Sequence, residues 1–257
     1  MKDVQNTTDT RNIIIDKVGI KDISYPIVVM DKTKGMQYTV ASINMFVQLP
    51  HNFKGTHMSR FIQILNEFRD SITNESIGKI LIEMKTRLNS NSAHVELSFP
   101  YFIEKFAPVS KEPSLMAYNC KYMASDIDNV KDFITEVKIP ILALCPCSKE
   151  ISKYGAHNQR GIVHIKIRHK RMVWFEELIN ITESSSSAPI YPLLKREDEK
   201  YITEKAYDSP VFVEDIVRSI SVSLNNDSRI TWFEVSCENY ESIHNHSAYA
   251  IIERLKE

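Results

Sequence analysis

Tyr38-Thr-Val-Ala-Ser-Ile-Asn-Met-Phe-Val-Gln-Leu49 places Thr39, Ala41, Ile43, Met45 and Val47 on one face, the two-residue period of a half-buried β-strand. An extended run from Ile23 to Met30 precedes it, and Lys34-Gly35 marks the turn between the two. Two helical patterns follow. Phe61, Leu65 and Phe68 form the stripe of the first, and Ile77, Ile80, Leu81, Met84 and Leu88 repeat at helical spacing in the second. Strand-like runs over Ala93 to Ile103 and Ser114 to Ala124 then complete a ββααββ order.

From about Asp126 the same order starts again. Strands are predicted over Phe133 to Leu144 and Gly161 to Lys170, helices over Trp174 to Glu183 and Val211 to Leu224, and strands over Arg229 to Cys237 and His246 to Leu255. The last helix carries Val213, Ile216, Val217, Ile220 and Leu224, with Ser209-Pro210 as its expected N-cap and first-turn proline. The expected class is α+β: ββααββ twice, as units 1–125 and 126–257, each an antiparallel sheet with helices on one face. A four-stranded sheet has free edges that must be covered or paired, so assembly into an oligomeric barrel is expected. Ser184-Ser-Ser-Ser-Ala-Pro189 reads as a flexible surface insertion, and Lys195-Arg-Glu-Asp-Glu-Lys200 as an exposed charged helix face.

Lys and Arg number 32 against 33 Asp and Glu, so the basic excess of a nucleic-acid binder is missing and any anion site must be local. Met1 to Arg11 is polar, and no segment approaches the roughly 18 uninterrupted apolar residues of a membrane helix; a cytoplasmic protein without membrane partners is expected. Four cysteines in 257 residues do not make a disulfide framework, which leaves reduced thiols or metal ligation.

Chemistry concentrates in Cys145-Pro-Cys-Ser-Lys-Glu-Ile-Ser-Lys-Tyr-Gly-Ala-His157-Asn-Gln-Arg160, a Gly-containing loop between two strand-like runs. A sulfur and a nitrogen ligand from one loop suit a transition metal, and a third ligand from elsewhere leaves a coordination position open for water. Taken singly, each of these residues has an ordinary reading: a buried cysteine is usually a small hydrophobe, and Glu199 one of several charges on a solvated face. His244-Asn-His246 places two imidazoles on one side of an extended segment.

These stretches, with Asp198-Glu-Lys-Tyr201, Phe212-Val-Glu-Asp215, Ile243-His-Asn-His-Ser-Ala-Tyr-Ala250, Leu49-Pro-His-Asn-Phe-Lys-Gly-Thr-His-Met-Ser-Arg60 and the opening Asp3-Val-Gln5, resemble the GTP cyclohydrolase type IB family over nearly the whole chain. The resemblance implies a tunnelling fold, with ββααββ units assembled as a homo-oligomer, expected as a homotetramer, and active sites at subunit interfaces. It implies hydrolysis of GTP to 7,8-dihydroneopterin triphosphate and formate, feeding pterin and folate synthesis or tRNA deazapurine modification. By that resemblance Cys145 and His157 bind a divalent ion (Mn, Fe or Zn), Glu199 is the third ligand, and His244 acts directly or through water. Such an ion lowers the pKa of a water it binds from about 15.7 toward about 7, for attack on C8 of guanine.

Cys145 is preferred to Cys147 as ligand because the family's spacing to its histidine matches twelve positions, leaving Cys147 as an alternative ligand, a hydrogen-bond partner or inert. Glu214, at the edge of its helix's apolar stripe, is implied as the anchor of the base, a carboxylate matching the adjacent N1–H and N2–H2 donors of guanine. Ring opening needs a proton delivered to nitrogen, a task an imidazole of ordinary pKa near 6.5 performs; His244 takes that role, with His246 beside it. Lys149, Arg160 and Lys200 are candidates for the triphosphate, together with Lys166, Arg168, His169, Lys170 and Arg171 around the same hairpin, and Arg60 and His57 could join from a neighbouring subunit. No Gly-x-x-x-x-Gly-Lys-Ser/Thr loop is present. The alternative function is the nitrile reductase of deazapurine synthesis, a tunnelling-fold oxidoreductase with a cysteine nucleophile and NADPH.

Overall fold

The alternating run 38–49 lies within strand β2 (Gly35–Leu49), where Ala41, Ile43, Met45 and Val47 are almost fully buried and the residues between them are not. It pairs antiparallel with β1 (Ile15–Asp31), which starts earlier than the predicted 23–30 because its first half is exposed and carries no alternation. In the computed structural model, which describes residue 5 and residues 7–68 and 74–256, the chain continues as α1 (Met58–Glu67), α2 (Asn74–Arg87), β3 (Ser92–Phe106), β4 (Pro113–Ile127), β5 (Val130–Leu144) and α3 (Pro146–Ile151). Then come β6 (Asn158–His169), α4 (Phe175–Ser184), β7 (Ala188–Pro189), α5 (Arg196–Asp208), α6 (Val213–Asn226), β8 (Ile230–Asn239) and β9 (Ala248–Leu255). Asp3 and Val4 of the N-terminal motif lie outside the described residues.

The strands form one nine-stranded sheet in the order β1-β2-β3-β4-β5-β6-β8-β9, with β7 added to β5, not the two sheets predicted. The reason lies between β4 and β5. Asp128 and Asn129 both have positive φ, 50° and 69°, the backbone of a two-residue hairpin turn whose twist matches paired strands. Two compact units are drawn from the chain: Met1–Pro100 with Lys121–Thr135, and Tyr101–Cys120 with Glu136–Glu257. Each takes segments from both sides of the 125/126 boundary predicted from sequence, since β3, β4 and β5 each contribute to both.

In the first unit most of the predicted helical stripes are buried, Phe61 and Leu65 of α1 joined by Ile64, and Ile77, Ile80, Leu81 and Met84 of α2, while Leu88 lies beyond the end of α2 and is half-buried. Phe68 ends α1 as its C-cap. Lys85 pairs with the buried Asp126 at 2.6 Å.

In the second unit α6 buries Val213, Ile216, Val217, Ile220 and Leu224 as predicted and packs on β8 and β9, each such side chain contributing about 1.5–3 kcal/mol of transfer free energy. Along β6, Val163, Ile165 and Ile167 are fully buried while His164, Lys166 and Arg168 between them are not. Those residues have neighbours of their own: His164 Nε2 lies 2.8 Å from Glu136 Oε1, Lys166 pairs with Glu234 at 2.8 Å, and Arg168 lies 4.3 Å over the Trp232 ring. The structure thus gives Lys166 and Arg168 local partners on the sheet face.

Three sequence expectations are corrected here. The serine tract is not a surface insertion. Ser187 and Ala188 are fully buried, the Ser187 hydroxyl accepts from the Leu144 amide at 3.0 Å, and Pro189 pairs opposite Ile141. Its small hydroxylated side chains satisfy backbone groups that no helix or long strand reaches. Second, Ser209 is the C-cap of α5, while α6 is capped at Phe212, whose amide donates to the Asp215 carboxylate at 3.3 Å. Third, His244 and His246 precede β9, in its connection from β8, although their rings still stack at 5.0 Å.

Two carboxylates, Asp198 fully buried and Glu183 half-buried, fasten the second unit. Glu183 of α4 accepts from Lys105 at 2.6 Å and from the Tyr118 hydroxyl at 2.9 Å; Lys105 also donates to the Ile190 carbonyl at 2.7 Å. Burial pushes the Lys105 ammonium down, and Glu183 opposes that shift. Asp198, in the first turn of α5, accepts from the amides of Val109 and Ser110 at 2.8 and 2.9 Å, from the Ser110 hydroxyl at 2.6 Å and from the Lys195 amide at 2.9 Å. Burial pushes its carboxyl up, but the Ser110 hydroxyl and the three amides outweigh burial and hold it well below the usual carboxylate range.

Replacing Lys105 by Met strands the Glu183 charge and is expected to lower stability by about 3–5 kcal/mol, much of it recovered when Glu183 is also made Met; urea unfolding of the single and double variants measures both. Because the folded-state pKa of Asp198 is depressed, its stabilisation is complete above the unfolded value near 3.9 and is lost as pH falls through the folded value. The gap in thermal stability between wild type and Asp198→Asn is therefore expected to be constant above roughly pH 5 and to narrow below about pH 4.

Candidate functional site

Between β5 and β6 the chain leaves the sheet at Cys145 and returns at His157, and the two residues meet in the backbone: the Cys145 amide donates to the His157 carbonyl at 3.1 Å. Inside this loop Pro146 starts α3, as a proline suits a first helical position, and Cys145 is its N-cap. Ser148 ties the loop together. Its amide donates to Cys145 Sγ at 3.5 Å, its hydroxyl donates to the Cys145 carbonyl at 3.2 Å and accepts from the His157 amide at 3.2 Å. Gly155, with φ of +122°, allows the chain to turn back toward β6.

His157 and Gln159 stand two residues apart at the start of β6, so their side chains share a side. The His157 Nδ1 lies 2.9 Å from Gln159 Oε1, and Gln159 Nε2 donates to Glu241 Oε1 at 3.3 Å. Glu241 Oε2 is itself 3.8 Å from His157 Nδ1. The β8–β9 connection that carries Glu241 is anchored by the Tyr240 amide on the Arg160 carbonyl at 2.9 Å, and the His244 amide contacts the Glu241 carbonyl at 3.5 Å. Beneath it, Gly161 faces the buried Asn239 so closely that a Cβ would sit 2.3 Å from Asn239 Oδ1.

Thus Cys145, His157 and the His244 loop are brought together by hydrogen bonds within one unit. Cys147 is exposed, while Cys120 and Cys237 are buried and burial pushes both thiols up, Cys237 to about 12; they belong to the core. Glu199 and Lys200 stand exposed in the first turns of α5, Lys200 3.8 Å from Glu204. Glu214 is exposed in the first turn of α6, next to the buried Val213 at the edge of the apolar stripe. Lys149 donates to the Tyr207 carbonyl and lies 4.3 Å over the Tyr207 ring, which joins α3 to the end of α5. Arg160 is exposed at the start of β6. In the other unit His57 caps α1 and Arg60 donates to the Arg87 carbonyl at 2.6 Å, closing the end of α2. Sequence reasoning passed over Ser148, Gln159 and Glu241; the signal for Gln159 was its position two residues after His157 within the same quoted motif.

The donor chemistry of Cys145 and His157 fits a divalent ion. The sulfur is half-buried and faces the site's own amide donor, and the imidazole has its Nδ1 engaged, which leaves Nε2 for a ligand. Among the described residues no three His, Cys, Asp or Glu side chains form a group that could hold an ion, so Glu199 and His244 are not gathered with Cys145 and His157 into one cluster within the chain. No helix among the described residues is long and apolar enough to cross a membrane.

Solved structures that share this fold include urate oxidases. A hyperthermostable mutant of the Bacillus sp. TB-90 enzyme aligns with a TM-score of 0.56 over 94% of this chain and 100% of that one at 10% identity, and the enzyme of Bacillus subtilis 168 with 0.54 over 93% and 98% at 8% identity. At those identities the likeness concerns the fold alone. In sequence, the chain is 59% identical over 253 residues to GTP cyclohydrolase FolE2 of Syntrophotalea carbinolica, covering 98% of this chain and 95% of that one. It is 59% identical to FolE2 of Geotalea uraniireducens over 100% of this chain and 94% of that one, and 55% identical to that of Geobacter sulfurreducens over 100% and 99%. These relatives bear the name of a cyclohydrolase and not of a nitrile reductase. The model of type I GTP cyclohydrolase folE2 matches residues 1–250, and the chain belongs to that family.

Proposed function

We propose that this protein is a GTP cyclohydrolase that converts GTP and water to 7,8-dihydroneopterin triphosphate and formate. The observation that carries the reading is the joining of Cys145 to His157 by a backbone hydrogen bond and by Ser148, in a chain whose family and relatives are cyclohydrolases over almost their full length. Cys145 and His157 would hold a divalent ion, Mn, Fe or Zn, with Glu199 and His244 completing the set directly or through water. Such an ion supplies activation of water for addition at C8 of guanine.

The remaining work falls to the chain's own groups. Glu214 offers two carboxylate oxygens from an exposed first turn, a match for N1–H and N2–H2 of the base. His244, with His246 stacked on it at 5.0 Å on the β8–β9 connection, would deliver a proton to the ring nitrogen as the imidazole of guanine opens. Cys147, two residues after Cys145 within α3, is exposed and would be an alternative ligand or a hydrogen-bond partner. Arg160 and Lys200 are exposed cations for the triphosphate. Lys149 reaches that role only by leaving Tyr207. His57 and Arg60 would act from a neighbouring subunit.

We further infer tandem tunnelling-fold units assembled as a homotetramer with interfacial active sites. Support comes from the free edges of the sheet, β1 and β9, where Ile13, Ile14, Ile15, Ile251 and Leu255 are exposed and which a protein must pair or cover. Glu199 is exposed and, among the described residues, belongs to no ion-holding group of His, Cys, Asp or Glu, which suits a set completed at such an interface.

Protein loaded with Mn, Fe or Zn and incubated with GTP is expected to yield a pterin that fluoresces after oxidation, and no product with any of the three ions would end the reading. Cys145→Ala should reduce turnover at least about 1000-fold and lower metal content, while Glu214→Ala should reduce turnover comparably with metal retained, since uniting chemistry depends on both groups; equal metal loss in the two variants would undo the division of roles. Light scattering is expected to give a tetramer, and a monomer with full turnover would overturn the interfacial site.

A further inference from the structure

Gln159 is a buried amide, 6% exposed, placed between an imidazole and a carboxylate. Its two ends are not interchangeable. Glu241 offers only acceptor oxygens, so the Gln159 NH2 must face it, and the Gln159 oxygen must then face His157 Nδ1. Turning the amide over would set oxygen against carboxylate and lose the hydrogen bond to Glu241. An oxygen 2.9 Å from Nδ1 accepts a hydrogen bond only if Nδ1 carries the proton. The neutral imidazole of His157 is thereby held with its lone pair on Nε2.

We propose that Gln159, oriented by Glu241, is a positioning residue that fixes the Nδ1–H tautomer of His157 and so presents Nε2 to the divalent ion. The inference rests on the metal reading given above and adds to it the device that prepares the ligand before the ion arrives. Neutral imidazole is the form that binds metal, and the partner on the other nitrogen selects which one does so. The oxygen of Gln159 is fixed in direction because Gln159 lies in β6, because Glu241 Oε1 holds its NH2 at 3.3 Å, and because the neighbouring Tyr240 amide pins that connection to the Arg160 carbonyl at 2.9 Å. Little rotation is left for the imidazole. A structural glutamine would fill the same space without any effect on where the imidazole proton sits.

The test uses the full chain labelled with 15N at histidine and free of metal. Wild type is expected to show His157 with its proton on Nδ1. Gln159→Met, close in size and without an acceptor, is expected to lose that preference and to bind cobalt(II), followed by its thiolate charge-transfer absorption, about 10–100-fold more weakly. Exchanging the two functions, Gln159→Glu with Glu241→Gln, keeps an acceptor on His157 and a donor behind it, and is expected to restore both the tautomer and the affinity. A Gln159→Met protein that unfolds like wild type, keeps the proton on Nδ1 and binds cobalt(II) within a factor of about 2 of wild type would overturn the proposal, since outer partners of a ligand histidine are worth far more. Cobalt binding indifferent to Cys145→Ala would overturn the metal reading instead, while the nitrogen spectra of the metal-free chain, which do not involve the ion, would still decide the role of Gln159.

Discussion

The hydrogen bond from the Cys145 amide to the His157 carbonyl is the constraint on which the site depends. It closes the loop between β5 and β6 at the rim of the sheet and sets a thiol and an imidazole, separated by eleven residues of chain, at fixed relative positions. Fixing each residue of a loop costs about 1–2 kcal/mol of backbone entropy. The loop meets that cost with its own structure: a proline that starts α3, a glycine at +122° that reverses the path, and Ser148, which bonds to both ends.

Behind this rim, the second unit is held by two partnered carboxylates, Asp198 fully buried and Glu183 half-buried. Asp198 collects four donors from two segments far apart in sequence, and thereby fixes the start of α5, the turn that carries Glu199. Glu183 does the same for α4 through Lys105 and Tyr118. A buried carboxylate without such donors would be strongly destabilising, so the Asp198 contacts tie the start of α5 to Val109 and Ser110. Asn239 and Gly161 show the reverse requirement, where the absence of a side chain lets a strand approach a buried amide.

Periodicity carried the regular elements. The alternation over 38–49 and the helical stripes of α1, α2 and α6 appear in the structure with most of the same residues inside, Thr39, Phe68 and Leu88 being half-buried, because each is a local pattern of burial. It failed where burial is set by remote partners. Nothing in Ser184 to Ser187 announces that Ser187 is fully enclosed by β5. Ser209-Pro210 looks like a helix start, yet the chain uses Asp215 to cap Phe212. The break between two sheets was expected at a place where Asp128 and Asn129 instead form a tight left-handed turn that keeps β4 and β5 side by side.

For the candidate site, residue types within one loop brought forward two thiols and an imidazole, because their donor atoms are chemical properties of the residues themselves, while the preference for Cys145 over Cys147 rested on the family's spacing to its histidine. The α+β class was also written in the chain, through its two periods. Only the tertiary structure decided that Gln159 and Glu241 stand behind His157, that Lys149, Lys166 and Arg168 have local partners, and that all strands share one sheet. The reason is physical: a hydrogen bond or a strand pairing between residues tens of positions apart depends on where folding brings them, and no local pattern of apolar and polar residues encodes that distance.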